Sequence, residues 1–272
     1  MSEPRIEAAQ LLAEARLALR KIGGLPPHLR PTDEADAYDV QAALGQLLAR
    51  AGFGRPAGYK IGCTTTIMQR YLGIDHPCAG TVFASRIHDS GAAFAAQAFV
   101  HPGVECEIAV ELARPLLAHD APFDRDRAAA AVGTVRPAIE IVDDRYVDWR
   151  RIDAPTLVAD DFFHAALVLG PPLAEWRALD LTRLVGTTRV NGVVVGTGRG
   201  ADVLGDPINA LVWLADHCAA RGQDLPAGTV VSLGSLTETR WLDPGDAAEI
   251  EIERLGAVRM SYGAATVGAA RS

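Results

Sequence analysis

Glu105 and Glu107 stand one residue apart in Val104-Glu105-Cys106-Glu107-Ile108-Ala109-Val110, and Glu140 stands inside the apolar run Ala138-Ile139-Glu140-Ile141-Val142. Carboxylates so arranged can hold a hard divalent cation. Both segments read as strands, whose side chains alternate between faces. Glu105 and Glu107 therefore project from one face about 6.6 Å apart along the strand, with Val104, Cys106, Ile108 and Val110 on the other. Mg2+ and Mn2+ prefer oxygen ligands in octahedral geometry and keep positions open for water or substrate oxygens, which three carboxylates without paired histidines would suit. A sheet with one solvated face would show the same Glu-x-Glu alternation. Glu140 weighs against that reading, because a carboxylate between Ile139 and Ile141 is costly to bury unless it is paired or bound to a metal.

Other residues could act beside such a cage. Lys60, between Tyr59 and Ile61 in an apolar strand, must find a counter-charge or lose proton affinity, and could then serve as a general acid or base; a snorkelling surface lysine is the alternative. Ser235 and Thr237, after the strand near Ser232, could donate to a ligand carboxylate or simply bond their own loop. Asp160-Asp161 reads as a turn or cap before an apolar segment. Gly196-Thr197-Gly198-Arg199-Gly200-Ala201 looks like a dinucleotide-binding string, but Gly205 and Pro207 prevent a helix from opening on the glycines. Glycine backbone beside a ligand, or a wide turn, fits that segment better.

Elements that would position these groups can be read from periodicity. A helix is expected from about Glu3 to Ile22, stopped by Gly23-Gly24, and a second follows, capped by Thr32 and running to Gly52. From Tyr59 onward, short β-like runs dominate: Gly58–Ile61, Phe99–His101, Glu105–Leu112, Ala138–Val142, Ala166–Leu169, Leu184–Val195, Thr229–Leu233 and Ala248–Ile252. One clear helix interrupts them, Pro207 to about Ala220, with Asp206 as its cap. Asn191-Gly192 marks a hairpin. The expected fold is α+β: an N-terminal helical cap, residues 1–57, on a mainly antiparallel, mixed sandwich or barrel-like core, residues 58–272.

The chain has 272 residues, is 49% apolar and carries a net charge of -8. That is enough for a proper core. Scattered Lys and Arg exclude a phosphate-backbone partner, so nucleic acid is set aside. Apolar runs fall short of a membrane span and the N-terminus does not start a signal peptide, so a cytoplasmic location with no membrane partner is expected. Cys63, Cys78, Cys106 and Cys218 lack Cys-x-x-Cys spacing and read as reduced, buried thiols.

Taken in order, Tyr38–Gln41 (YDVQ), Gly58–Gly62 (GYKIG), Leu72–Pro77 (LGIDHP), Glu105-x-Glu107, Pro137–Val142 around Glu140, Val158–Asp160, Gly198–Ala210 (GRGADVLGDPINA) with Trp213-Leu214-Ala215, and Gly234–Thr237 (GSLT) carry a resemblance. Together they resemble the 2-keto-4-pentenoate hydratase and 4-oxalocrotonate decarboxylase branch of the fumarylacetoacetate hydrolase superfamily. The resemblance covers the second helix to the C-terminus. It implies a mixed β core, Mg2+ or Mn2+ on Glu105, Glu107 and Glu140, Lys60 close to a small 2-oxo acid substrate, and a homo-oligomer.

Three positions depart from that family pattern. Cys78 stands where hydratases commonly carry an Asp that is a candidate acid/base, Asp161 where Asn is usual, and Asp206 where His is usual. Proton transfer must then rest on Lys60, Asp75, His76, Asp160 or metal-bound water, with Cys78, Gly198, Arg199, Ser235 and Thr237 as substrate-binding candidates. The expected activity is a hydro-lyase on a 2-oxo or 2-hydroxydienoate acid in aromatic catabolism. Its alternatives are a 2-oxo-enedioate decarboxylase, an acylpyruvate-type C–C hydrolase, and an impaired family member that only binds 2-oxo acids.

Overall fold

In the computed structural model, which describes residues 2–263, helix α1 (Glu3–Leu17) buries Ala8, Ala9, Leu12, Ala13 and Ala15 on one side. It stops before the expected Ile22, because Leu19 turns left-handed at φ 49° and Ile22 bridges to Tyr146 instead. Helix α2 (Glu34–Leu48) is capped by Asp33 rather than Thr32: the Asp33 carboxylate accepts the Asp36 N–H at 2.8 Å, and the Thr32 N–H donates to the Asp36 side chain. Both helices lie on the β core. The Tyr38 hydroxyl accepts the Ala79 N–H at 3.0 Å, and the Gln41 amide donates to the carbonyls of Ala79 and Val158.

Strand β1 (Pro56–Gly62) spans the boundary drawn after residue 57, and Met1 and residues 264–272 lie outside the described residues. The chain continues through α3 (Thr66–Leu72), β2 (Cys78–Phe83), β3 (Ile87–Asp89), β4 (Ala92–Phe94), β5 (Pro102–Leu112), α4 (Arg125–Ala131), β6 (Val132–Asp143) and α5 (Ala154–Ala159). Then come β7 (His164–Leu169), β8 (Val185–Val190), β9 (Val193–Arg199), α6 (Pro207–Ala220), β10 (Val230–Ser235), β11 (Arg240–Trp241), β12 (Ala247–Ile252) and β13 (Gly256–Tyr262). Asn191 and Gly192 turn β8 into β9 with φ of 52° and 80°, the left-handed pair of a tight hairpin. Phe99–His101 is not a strand, because the Val100 and His101 N–H groups donate to the Asp143 carboxylate rather than to a neighbouring strand. Short α3, α4 and α5 join α6 where a single helix was expected among the strands.

An eight-stranded sheet has the order β2-β1-β10-β5-β6-β7-β3, with β11 taking over from β10 beside β5; the five-stranded sheet runs β4-β13-β12-β8-β9. Most pairings are antiparallel, and β1/β10, β3/β7 and β4/β13 are parallel. One face of the large sheet, with Cys106, Ile108, Ile139 and Ile141, shares the main core with Ile250 and Val258 of the small sheet. Truncating Ile139 there to Ala would cost about 2–5 kcal/mol. The other face carries a separate small core of Val82, Ala109, Ala138, Leu167 and Leu169, in which β2 meets β7. The large sheet is thus rolled, and the residues one step further along that inner face are Lys60, Ser232, Glu107 and Glu140.

Candidate active site

Register brings the carboxylates together. Glu105 lies directly opposite Glu140 across the β5/β6 ladder, and Glu107 follows on the same face. One oxygen from each of the three lies within 4.8 Å of the others. Like charges opposed across a ladder are destabilising unless something neutralises them.

Partners fix some oxygens and leave others free. Glu107 Oε2 accepts the Ser232 hydroxyl at 2.5 Å and the Gly234 N–H at 3.1 Å, while Thr239 donates to Glu105 Oε1. Glu140 Oε1 meets His164 Nδ1 at 2.9 Å and Lys60 Nζ at 3.4 Å. Among the described residues, Glu107 Oε1 and Glu140 Oε2 are buried without a hydrogen-bond partner. Two orphaned carboxylate oxygens beside a third carboxylate form a donor set suited to a hard cation.

The electrostatics agree. Burial, then Glu140 and Glu105, push the Glu107 carboxyl well above the usual range. Desolvation and Glu140 raise Glu105 to about 7, against Lys60 and the Thr239 hydrogen bond. Burial acts on Glu140 too, but Lys60 and His164 outweigh it and hold that carboxyl down. Lys60, 2% exposed, is opposed by its own burial, yet the three glutamates raise it, so it stays an ammonium.

Lys60 also donates to the Phe162 carbonyl at 3.0 Å and lies 5.7 Å from the Phe162 ring centroid. That carbonyl belongs to three successive left-handed residues, Asp161, Phe162 and Phe163, with φ of 54°, 50° and 69°. Each non-glycine residue held so costs about 1–3 kcal/mol. A Cβ on Gly80 would fall 2.9 Å from the Asp161 carbonyl and 3.2 Å from Lys60 Cε, so only glycine lets the lysine stem and this turn close on β2.

Of the remaining sequence candidates, Cys78 and Ser235 lie on strands next to the cage, Ser235 opposite Glu107, and the others make contacts outside it. Cys78 is buried near Lys60, and its hydrogen bond with Cys63, followed by burial, drives its thiol far up, so it stays neutral. Asp75 is exposed, and His76 Nε2 pairs with Glu34 at 3.0 Å while its ring stacks on Trp213. Asp160 Oδ2 accepts Arg145 at 2.9 Å and the Tyr146 hydroxyl at 3.2 Å in the core, and its Oδ1 lies 3.5 Å from Arg16 Nη2. Asp206 caps α6 and pairs with Arg125. A Cβ on Gly198 would fall 1.7 Å from the Leu236 carbonyl, so packing alone requires that glycine, and Arg199 is exposed. Ser235 donates to the Thr237 carbonyl at 2.7 Å, and the Thr237 hydroxyl meets Thr188.

His164, Ser232 and Thr239 reach the cage without having been singled out in the sequence. Ser232 alone carried a signal, as a hydroxyl between Val231 and Leu233 in an apolar strand.

A model of the fumarylacetoacetate (FAA) hydrolase C-terminal family matches residues 77–261. The chain is 36% identical over 256 residues to a 2-keto-4-pentenoate hydratase of Burkholderia vietnamiensis, covering 93% of this chain and 95% of that one. It is 31% identical over 228 residues to a 4-oxalocrotonate decarboxylase of Pseudomonas putida, covering 84% and 85%. Among solved structures, the 4-oxalocrotonate decarboxylase of Pseudomonas putida G7 complexed with magnesium and adipate superposes with a TM-score of 0.89 at 29% identity, covering 96% and 97% of the two chains. With its rolled sheet, its carboxylate cluster and these relatives, the chain belongs to the fumarylacetoacetate hydrolase family, in the branch of 2-keto-4-pentenoate hydratases and 4-oxalocrotonate decarboxylases.

Proposed function

We propose that this protein is a divalent-metal-dependent lyase acting on a small 2-oxo or 2-hydroxydienoate acid, with hydration of the dienoate as its principal reaction. One observation carries the reading: three glutamates with oxygens within 4.8 Å, two of those glutamates bearing orphaned buried oxygens, stand beside a buried lysine. Glu105, Glu107 and Glu140 would hold Mg2+ or Mn2+, which when bound supplies Lewis-acid stabilisation for a 2-oxo acid. Ser232, Gly234, Thr239 and His164 hold those carboxylates in place. Lys60 is a proton donor at Nζ, pinned by the Phe162 carbonyl and Glu140. The small core of Val82, Ala138, Leu167 and Leu169 closes the roll behind it and limits water there.

Decarboxylation of a 2-oxo-enedioate is the second reading, favoured by Cys78. A neutral, buried thiol offers no carboxylate base to activate water, whereas loss of carbon dioxide needs only a proton donor to follow. Turnover of 2-hydroxydienoates, 2-oxo-enedioates and acylpyruvates, followed with Mg2+ and again with a chelator, tests the proposal. Metal-dependent hydration or decarboxylation supports a lyase. Binding of 2-oxo acids without turnover would leave only a binding protein.

A further inference from the structure

We infer that Arg16 of α1 is a positioning residue for Lys60, acting through the left-handed turn Asp161–Phe163; this rests on the reading of Lys60 as the proton donor. Nζ of Lys60 has two close partners, Glu140 Oε1 and the Phe162 carbonyl, and the carbonyl is the nearer, at 3.0 Å against 3.4 Å. Where that oxygen sits depends on a backbone that L-residues avoid. Three successive left-handed residues persist only where their surroundings over-determine them.

Arg16 supplies that determination from the N-terminal layer. Its Nη1 donates to Asp161 Oδ2 at 2.9 Å, and its Nη2 donates to the carbonyls of Asp160 at 3.0 Å and His164 at 3.2 Å. One guanidinium therefore holds the residue entering the turn, the first residue within it and the residue leaving it. A planar fork can staple such points at once, which a lysine ammonium on a flexible stem cannot. Asp161 passes the constraint on, since its Oδ1 accepts the Thr81 N–H at 3.0 Å, next to Gly80, against which the stem of Lys60 lies. Among the described residues Arg16 bonds none of the cage carboxylates; it reaches Lys60 through the turn and Glu140 only through the backbone of His164, whose ring bonds Glu140. The helical layer thereby helps to position the site.

A double-mutant cycle read beside crystal structures tests this. R16M should lower kcat about 10- to 100-fold, the scale of a reacting group misplaced by an ångström, with KM and Mg2+ affinity by calorimetry changed less than about 2-fold. In a K60M background the same substitution should change kcat by less than about 2-fold, and R16K should not restore the wild-type rate. Because R16M leaves a buried carboxylate short of its partner and could fail to fold, R16M/D161N removes both charges while keeping an acceptor for Thr81. Crystals of that variant should show the Phe162 carbonyl drawn away from Lys60. Additive losses of R16M and K60M, or an unchanged turn and Lys60–Phe162 contact in R16M/D161N, would overturn the inference. Should the wild type turn over no member of the substrate panel, the reading of Lys60 fails, and the crystal comparison still decides whether Arg16 sets the turn.

Discussion

Adding Mg2+ or Mn2+ to the metal-free protein should raise its unfolding temperature, and Glu140→Gln should erase most of that rise. Glu107 and Glu140 each bury an oxygen with no partner, and Glu105 lies opposite Glu140 on the neighbouring strand. A cation bound only by the folded state stabilises it by about 2.7 kcal/mol at one hundred times its Kd. Unfolding entropy of about 2.1 cal/mol/K per residue over 272 residues is roughly 0.6 kcal/mol/K, so the rise should be about 5 °C. Glu140→Gln removes one anionic ligand of three and should weaken Mg2+ binding about 100-fold or more, which leaves less than about 1 °C at the same concentration. Scanning calorimetry with chelator, Mg2+ or Mn2+ reads this directly. An equal rise in wild type and Glu140→Gln would refute the reasoning, as would no rise in the wild type with either ion.

Lys60→Met should cut turnover about 100-fold or more while the metal-induced thermal shift survives, and full activity would remove Lys60 from the mechanism. Cys78→Ala should leave most activity, because the neutral thiol cannot act as a base, and the wild type should hydrate the unsubstituted 2-hydroxypenta-2,4-dienoate poorly and prefer another 2-oxo or 2-hydroxydienoate acid; steady-state kinetics on both proteins checks this. Glu105, raised to about 7 when folded and near 4.5 otherwise, binds its proton more tightly in the folded protein. Its contribution to metal-free stability should therefore be largest below about pH 4.5 and be lost as pH rises through 7; Glu107, raised too, adds a slope of the same sign, so denaturant titrations should show a steeper slope in wild type than in Glu105→Gln. Gly198→Ala should destabilise by about 1–3 kcal/mol or more through collision with the Leu236 carbonyl, and unchanged stability would return that glycine to a ligand role.

The parts of this molecule legible in sequence were those with a local signal. Alternation in β5 and a carboxylate inside the apolar centre of β6 located Glu105, Glu107 and Glu140, and Asp206-Pro207 marked the start of α6. Asn191-Gly192 marked its hairpin for the same reason. Illegible were features made by distant segments. His164 meets Glu140 across the β6/β7 pairing, and Arg16 reaches the Asp161 turn over 145 residues of sequence. Strand β2 lacks clean alternation because nearly all of it is buried, with β7 against it inside the roll and α2 along its outer edge, where Tyr38 and Gln41 bond the Ala79 backbone. Asp160 and His76 sat in matching motifs, yet their side chains are taken by Arg145 and Glu34, partners that no spacing rule reveals.

Crystals grown with Mn2+ and pyruvate, measured at the manganese absorption edge, test the central claim most directly. The account predicts one strong anomalous peak within about 2.3 Å of an oxygen from each of Glu105, Glu107 and Glu140, with the pyruvate carboxylate and 2-oxo oxygens completing the coordination next to Lys60. A peak at any other carboxylates, or pyruvate bound away from these three glutamates, would contradict it.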